Sequence, residues 1–203
     1  MKERMLENIR NECIKVVDRS YPNERKVIVF GEGNPDAQIV LVGEAPGERE
    51  TELVRPFVGA AGKNLDEFLA ILCLKREDIY ITNTVKFRPF KVNPKTGRLS
   101  NRPPNDDEIR LCLPFLLKQI DVINPKVIVT LGNTPLRALT GNKEMTIGQS
   151  HGKLIDKMQY HIFPLYHPAS IIYNINLKDV YIKDIEILKD YISDLHQEKF
   201  KKD

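Results

Sequence analysis

A chain of 203 residues with 41% hydrophobic and 29% charged side chains is long enough to bury a core and balanced like an ordinary globular protein, which excludes intrinsic disorder. No stretch approaches the roughly 20 uninterrupted apolar residues of a membrane-crossing helix, and Met1 to Arg10 alternates charged with apolar residues in place of a signal-peptide core. The formal charge of +3 is too small to identify a polyanionic partner, so a cytoplasmic, membrane-free monomer built as a single domain over 1–203 is the expectation.

Leu6, Ile9, Cys13 and Val16 recur at helical spacing, so the first eighteen or so residues read as an amphipathic helix with Cys13 as core filler. An apolar run from Gln38 to Val42 predicts a strand, and Leu65, Phe68, Leu69 and Leu72 a helix after it. The pair recurs with Ile79 to Thr82 as strand and Ile109, Leu113, Leu116, Leu117 and Ile120 as helix. Asn105, followed by Glu108 three residues later, marks that helix's start as a capping box, and Asp106 and Asp107 favour its dipole. Lys126 to Leu131 is a third strand, with Thr134 as N-cap, Pro135 as first helical residue and Gly141 as terminator of the next short helix. Tyr160 to Leu165 is a fourth strand, and Ile182, Ile185, Leu188, Ile192 and Leu195 form the last helix.

Strands alternating with helices predict a three-layer α/β/α sandwich around a central four-stranded, mostly parallel sheet. Ligands bind such sheets beyond the carboxyl ends of the strands. Three segments fall there: Gly43 to Gly47, Asn83 with its neighbours, and His167 to Ser170. Between the second strand and its helix, Lys86, Arg88, Lys91, Lys95, Arg98 and Arg102 form a basic loop with no acidic residue until Asp106. It reads either as a solvated surface or as a phosphate contact.

The segment GEAPGERE follows a strand directly and suits a tight turn with backbone N–H groups close to a ligand. It lacks both the Gly-Lys-Ser/Thr of a Walker loop and the G-x-G-x-x-G of a dinucleotide site. Glu44 is a carboxylate at a strand end, fit either for a salt bridge or for activating water and stabilising a cation. Phe57, between Pro56 and Val58-Gly59, fits either core packing or stacking on a base, worth about 1–3 kcal/mol in nucleic-acid sites. Asn83 fits either a turn or cap or an amide that reads a carbonyl and an N–H on one heterocycle edge. His167 stands between a strand and a proline, where a lone histidine is more often structural than catalytic. Cys13, Cys73 and Cys112 are an odd number without a C-x-x-C pair, which gives neither a disulfide framework nor a complete metal site; Cys73 falls on a helical apolar pattern.

In this order, GEAPGERE, RPFVGAAG, TNTVKFRP with NRPP, and FPLYHPAS resemble the uracil-DNA glycosylase superfamily, and within it the iron–sulfur branch called family four. The resemblance runs from Cys13 through the His167 loop. It implies a monofunctional DNA glycosylase of base-excision repair that takes uracil-containing DNA and releases free uracil. His167 would donate to the departing uracil O2, and Glu44 would orient water or stabilise the sugar cation. Gly43, Ala45, Phe57 and Asn83 would bind the flipped base, with Glu50 bordering its C5 side. Arg88, Arg98, Arg102 and Ser170 would hold DNA, and Ile171 or Ile172 would either fill the gap left by the base or serve as an ordinary core isoleucine. A non-catalytic DNA-binding module of the same fold and a glycosylase for another deaminated base are the alternatives.

Family-four enzymes hold a [4Fe–4S] cluster with four cysteines, and the matching positions here read Cys13, Val16, Phe87 and Cys112. Val and Phe cannot ligate iron. The expectation is no cluster, no metal and no other cofactor, with Val16 and Phe87 filling the volume. The resemblance also places Thr51 at an acidic position of the family and Val54 at a glycine, both near the expected pocket, and makes Lys91 to Ser100 an insertion that enlarges the basic loop.

Overall fold

A computed structural model describes residues 1–157 and 159–200, and among these the side chains of all but 60, 172, 173 and 195–200. The predicted helix-strand alternation is present. Helix α1 (Lys2–Ser20) precedes strands β1 (Glu32–Gly33) and β2 (Ile39–Gly43), then α2 (Glu48–Leu53), α3 (Ala60–Ile71) and β3 (Tyr80–Asn83). A hairpin of β4 (Phe90–Val92) and β5 (Leu99–Asn101) leads to α4 (Asp106–Ile123), β6 (Val127–Leu131), α5 (Asn133–Thr140) and α6 (Ile147–Ser150). Strands β7 (Ile155–Asp156) and β8 (His161–Leu165), then α7 (Pro168–Tyr173) and α8 (Lys178–Phe200), complete the described residues.

Strands pair in the order β1, β3, β2, β6, β8, β7. The four central strands run parallel, with Val40 opposite Tyr80 and Ile128, and Ile128 opposite Ile162. Two-residue strands β1 and β7 add antiparallel edges, so the sheet is six-stranded where four were expected. Both additions are too short to carry a period-2 signal.

Alternation along the strands divides the core. Val40, Val42, Ile128 and Ile162 face α1 and α4, where Leu6, Cys13, Val17, Leu116 and Ile120 are buried. Leu41, Ile81, Val129 and Phe163 face α3 and α8, where Leu65, Phe68, Leu69, Ile185 and Leu188 are buried. That is the three-layer sandwich: residues i and i+1 of each strand enter different layers. The side chain of Leu195, assigned from sequence to the last helix's apolar face, lies outside the described residues.

Several local expectations change. Asn105 does cap α4: its Oδ1 accepts from the Glu108 N–H at 2.8 Å, and Glu108 accepts in return from the Asn105 N–H at 2.9 Å. Thr134, however, is inside α5, whose N-cap is Gly132 at φ 87°, and Pro135 is the third helical residue. Gly141, at φ 73°, ends that helix as expected. Cys73 is exposed just past α3 at φ 57°, and is not part of an apolar helical face. The basic loop is an ordered hairpin, and Lys86 does not belong to its surface: it is fully buried. No helix among the described residues is long and apolar enough to cross a membrane.

Candidate active site

The carboxyl ends of β2, β3, β6 and β8 bring Glu44, Asn83, Thr134 and His167 to one rim. Two connected spaces open there. A cavity of about 250 Å³ is lined by Ala45, Gly47, Glu50, Phe57, Asn83 and His167, among others. A groove of about 480 Å³ is lined by Glu44, Ala45, Asn101, Arg102, His167 and Ser170, among others. His167 borders both, so it stands where an object in the cavity meets an object in the groove.

The hydrogen bonds around His167 determine its proton. Its Nδ1 accepts from the Ala169 backbone N–H at 3.1 Å, as the cap of α7. A backbone amide can only donate, so the neutral ring carries its hydrogen on Nε2. Burial pushes the imidazole pKa down to about 4, against a smaller upward pull from the Glu50 charge. At neutral pH His167 is therefore an uncharged Nε2–H donor.

Glu44 follows β2 directly. Its Oε2 accepts from the Thr134 hydroxyl at 2.5 Å, which fixes the carboxylate and leaves Oε1 for another partner. Sequence reasoning took Thr134 for a helix cap and missed this contact; its place after a strand's carboxyl end was the only available signal.

The cavity's floor is built from a strained loop. Phe57 is buried yet holds φ 52°, a left-handed conformation that costs a residue with a Cβ about 1–2 kcal/mol. Two charged side chains hold it from opposite sides. Arg76 donates through Nη2 to the Phe57 carbonyl at 2.7 Å while its Nε bonds Asp66 at 2.8 Å. Glu50 accepts from the backbone N–H groups of Val58 at 3.0 Å, Gly59 at 2.7 Å and Gly47 at 3.1 Å. Glu50 thus ties the GEAPGERE turn to the Phe57 loop, in addition to bordering the cavity. The Phe57 ring lies 6.0 Å from that of His167 at 25°, nearly parallel.

Gly43 is required by close approach. A Cβ there would stand 2.4 Å from Asn83 Oδ1 and 2.7 Å from the Phe57 ring. Asn83 itself is 2% exposed and lines the cavity. Behind it, Lys86 donates to the Asn83 carbonyl at 2.8 Å, Thr82 Oγ1 at 2.7 Å and Gln119 Oε1 at 2.5 Å. Burial pushes the Lys86 amine down to about 7, while three acceptors match the three N–H bonds of its ammonium form. Lys86 fastens the backbone of Asn83, a role invisible in a run of basic residues.

The remaining predicted residues separate. Arg88 bonds Asn101 at 2.7 Å and Glu48 at 3.0 Å. Arg102 makes a bidentate pair with buried Glu108 at 2.7 Å for both bonds. Burial pushes the Glu108 carboxyl up, but the bonds from Arg102 and Asn105 outweigh it and hold it below the usual range. Both arginines are thus built into the scaffold, Arg102 as part of the groove wall, whereas Arg98 is exposed on the hairpin and its side chain makes no bond among the described residues. Ile171 is partly buried against the α3/α8 core, and the Ile172 side chain lies outside the described residues. Thr51 bonds the Gly47 carbonyl at 2.8 Å, whereas Val54 is exposed, ends α2 at φ 53° and lies away from the cavity.

On the other face of the sheet, Cys13, Cys112 and Phe87 are all fully buried and Val16 packs against them. The Phe87 ring meets Tyr21 edge-on at 5.4 Å, and Lys26 Nζ lies 4.7 Å from the Tyr21 centroid and 5.5 Å from that of Phe87. Burial pushes the Cys13 thiol up to about 12 and raises Cys112 as well, so both are protonated. Among the described residues no three His, Cys, Asp or Glu side chains gather as metal ligands. This set does not supply the donors of a four-thiolate iron–sulfur cluster: Val16 and Phe87 are hydrocarbon, and only Cys13 and Cys112 carry sulfur.

Residues 30–194 match the uracil DNA glycosylase superfamily. The chain is 40% identical over 193 residues to the type-4 uracil-DNA glycosylase of Sulfurisphaera tokodaii, covering 91% of this chain and 84% of that one. It is 38% identical over 194 residues to the type-4 enzyme of Thermotoga maritima, covering 94% and 96%. The type-4 enzyme of Saccharolobus solfataricus is 41% identical over 177 residues, covering 83% and 78%. With the strand-end rim of Glu44, Asn83 and His167 and a family match over most of its length, the chain belongs to the uracil DNA glycosylase superfamily.

Proposed function

We propose that the protein is a monofunctional uracil-DNA glycosylase, a single-domain monomer that hydrolyses the bond between uracil N1 and deoxyribose C1′ and leaves an abasic site. The observation that carries this reading is the position of His167 between a nucleobase-sized cavity and an open groove. Uracil fills the cavity, stacked on Phe57, with its Watson–Crick edge on the Asn83 amide and its C5 side toward Glu50. Gly43 and Ala45 let it approach the backbone. The deoxyribose and its phosphates lie in the groove past Ser170, with Ile171 toward the vacated stack and Arg98 on a phosphate.

As the C1′–N1 bond breaks, its electron pair passes into the uracil ring and onto O2, where the Nε2–H of His167 stabilises it. A neutral donor suits this task, because it stabilises charge that appears only as the bond breaks. The sugar develops oxocarbenium character. Glu44, held by Thr134, stabilises that cation with its negative charge and takes a proton from the water that attacks C1′. Flipping the base costs a few kcal/mol of pairing and stacking, which the cavity and groove contacts must offset.

The reaction runs without an iron–sulfur cluster, whose volume Phe87 and Val16 fill. Purified protein is expected to show no broad visible absorbance of a thiolate-bound cluster. The function is tested with labelled oligonucleotides carrying one uracil, thymine or hypoxanthine, treated with alkali after incubation. Cleavage at uracil is the expected result. Binding of the uracil oligonucleotide with no cleavage would select the non-catalytic reading, and cleavage at hypoxanthine alone would select another deaminated base.

A further inference from the structure

The hairpin of β4 and β5 leaves the body of the protein at the groove, since Pro89, Asn101 and Arg102 at its base are groove walls. The pairs Asn93 with Arg98 and Pro89 with Arg102 are joined by backbone hydrogen bonds of 2.9 and 3.2 Å. By the antiparallel alternation, Val92 and Leu99 form a close, non-hydrogen-bonded pair, as do Phe90 and Asn101. Paired residues share a face, and so do residues two apart. Phe90, Val92, Leu99 and Asn101 therefore lie on one side of the ribbon.

That side changes character along its length. At the base, Phe90 packs under Lys26 Nζ, 5.0 Å from its centroid, and Asn101 reaches the cavity and groove. Farther out, Val92 is 55% and Leu99 42% exposed, an apolar pair left open by the described residues. Lys91 and Arg98 alternate onto the ribbon's other side and Lys95 belongs to its tip, so the arm is cationic around its apolar side, and no acidic residue occurs between Asp78 and Asp106. The tip is stiff: Asn93 Oδ1 accepts from the Lys95 and Thr96 N–H groups at 2.9 and 3.2 Å, and Gly97 turns at φ 67°.

From this we infer that the ribbon is a duplex-binding arm: the Val92 and Leu99 pair rests on the sugars and groove wall of double-stranded DNA beside the flipped nucleotide, with Arg98 and Lys95 on phosphates. The inference rests on the DNA reading above. Three features select a duplex. A two-stranded ribbon has the width of a DNA groove. Its outer residues are aliphatic and cationic, whereas a single-strand platform needs an exposed aromatic for stacking, and the one aromatic here is tucked under Lys26. Asn101, a wall of both the cavity and the groove, is on the same side of the ribbon as Val92 and Leu99.

The test compares wild type with Val92→Ser/Leu99→Ser and with Arg98→Ala; all three side chains are exposed, so folding is retained. The double substitution lowers the ratio of kcat/KM on uracil in duplex to uracil in single strand about tenfold. Arg98→Ala lowers the slope of log Kd against log salt for an undamaged duplex by about 1, one phosphate contact. Equal losses on both substrates, or an unchanged ratio with an unchanged slope, would overturn the arm. The duplex titration needs no catalysis. Weaker, less salt-dependent duplex binding by the variants of a protein that releases no uracil would leave the arm standing and remove the glycosylase reading.

Discussion

The rim at the strands' carboxyl ends and the layer packed beneath α1 and α4 are built to different demands. On the rim, Glu44, Phe57, Asn83 and His167 are all in place, and the fold tolerates a left-handed Phe57, a buried Lys86 and a histidine whose pKa falls to about 4 in order to aim them. Beneath α1 and α4, by contrast, Phe87 is buried among Cys13 and Cys112 and Val16 packs against them, a site built from hydrocarbon and two thiols. On the proposed mechanism, geometry at the rim must be specified atom by atom, because charge would develop there within hydrogen-bond reach. The packing face needs only filled volume and a connection between α1, α4 and the segment after β3, which hydrocarbon supplies as well as a cofactor does.

That contrast is most strongly tested at Glu44. Glu44→Ala is expected to lower single-turnover uracil release by about 10²–10⁴ with little change in unfolding midpoint, since general-base and charge terms are of that size. A tenfold loss or less would make the carboxylate a structural partner of Thr134.

Phe87→Ala tests the other face. Emptying a fully buried aromatic site is expected to cost about 3–5 kcal/mol in urea unfolding, while uracil release at a temperature where the variant is folded stays at the wild-type rate. A slower rate with unchanged stability would show that the packing face takes part in the chemistry.

The pH dependence sharpens the rim. His167 has a folded pKa of about 4 against an ordinary 6.5. Between these values the unfolded chain binds a proton that the folded protein does not. Stability from this residue is thus constant above pH 6.5 and falls as the pH drops toward 4, by at most about 3 kcal/mol. Comparing wild type with His167→Asn in denaturant at pH 7 and pH 5 isolates this contribution. An identical difference at the two pH values would contradict the buried neutral imidazole.

The smallest effect is at Val54. A β-branched residue at φ 53° is strained, so Val54→Gly is expected to raise stability by up to about 1 kcal/mol in thermal unfolding, without altering uracil release.

Much of this was legible in the sequence because it depends on local patterns. Runs of β-branched residues followed by helical periodicity gave the four central strands and their layers, and Asn105 with Glu108 gave the start of α4. The ends of those strands then located Glu44, Asn83 and His167. What was not legible depends on contacts distant in sequence. Thr134 has the composition of a cap and acts on Glu44, 90 residues away. Lys86 reads as one cation of six and is buried under Asn83. Glu50 reads as a pocket wall and also fastens two loops. The hairpin has strands of three residues, too short for a period, and Arg102 reads as free until Glu108 folds back on it.

The most direct test of the central claim is single-turnover uracil release by protein purified iron-free in the presence of a chelator, with His167→Ala in parallel. The account predicts that the iron-free wild type excises uracil and that His167→Ala slows this at least about 100-fold. An iron-free wild type that is inactive until iron and sulfide are restored, or a His167→Ala protein that works at the wild-type rate, would contradict it.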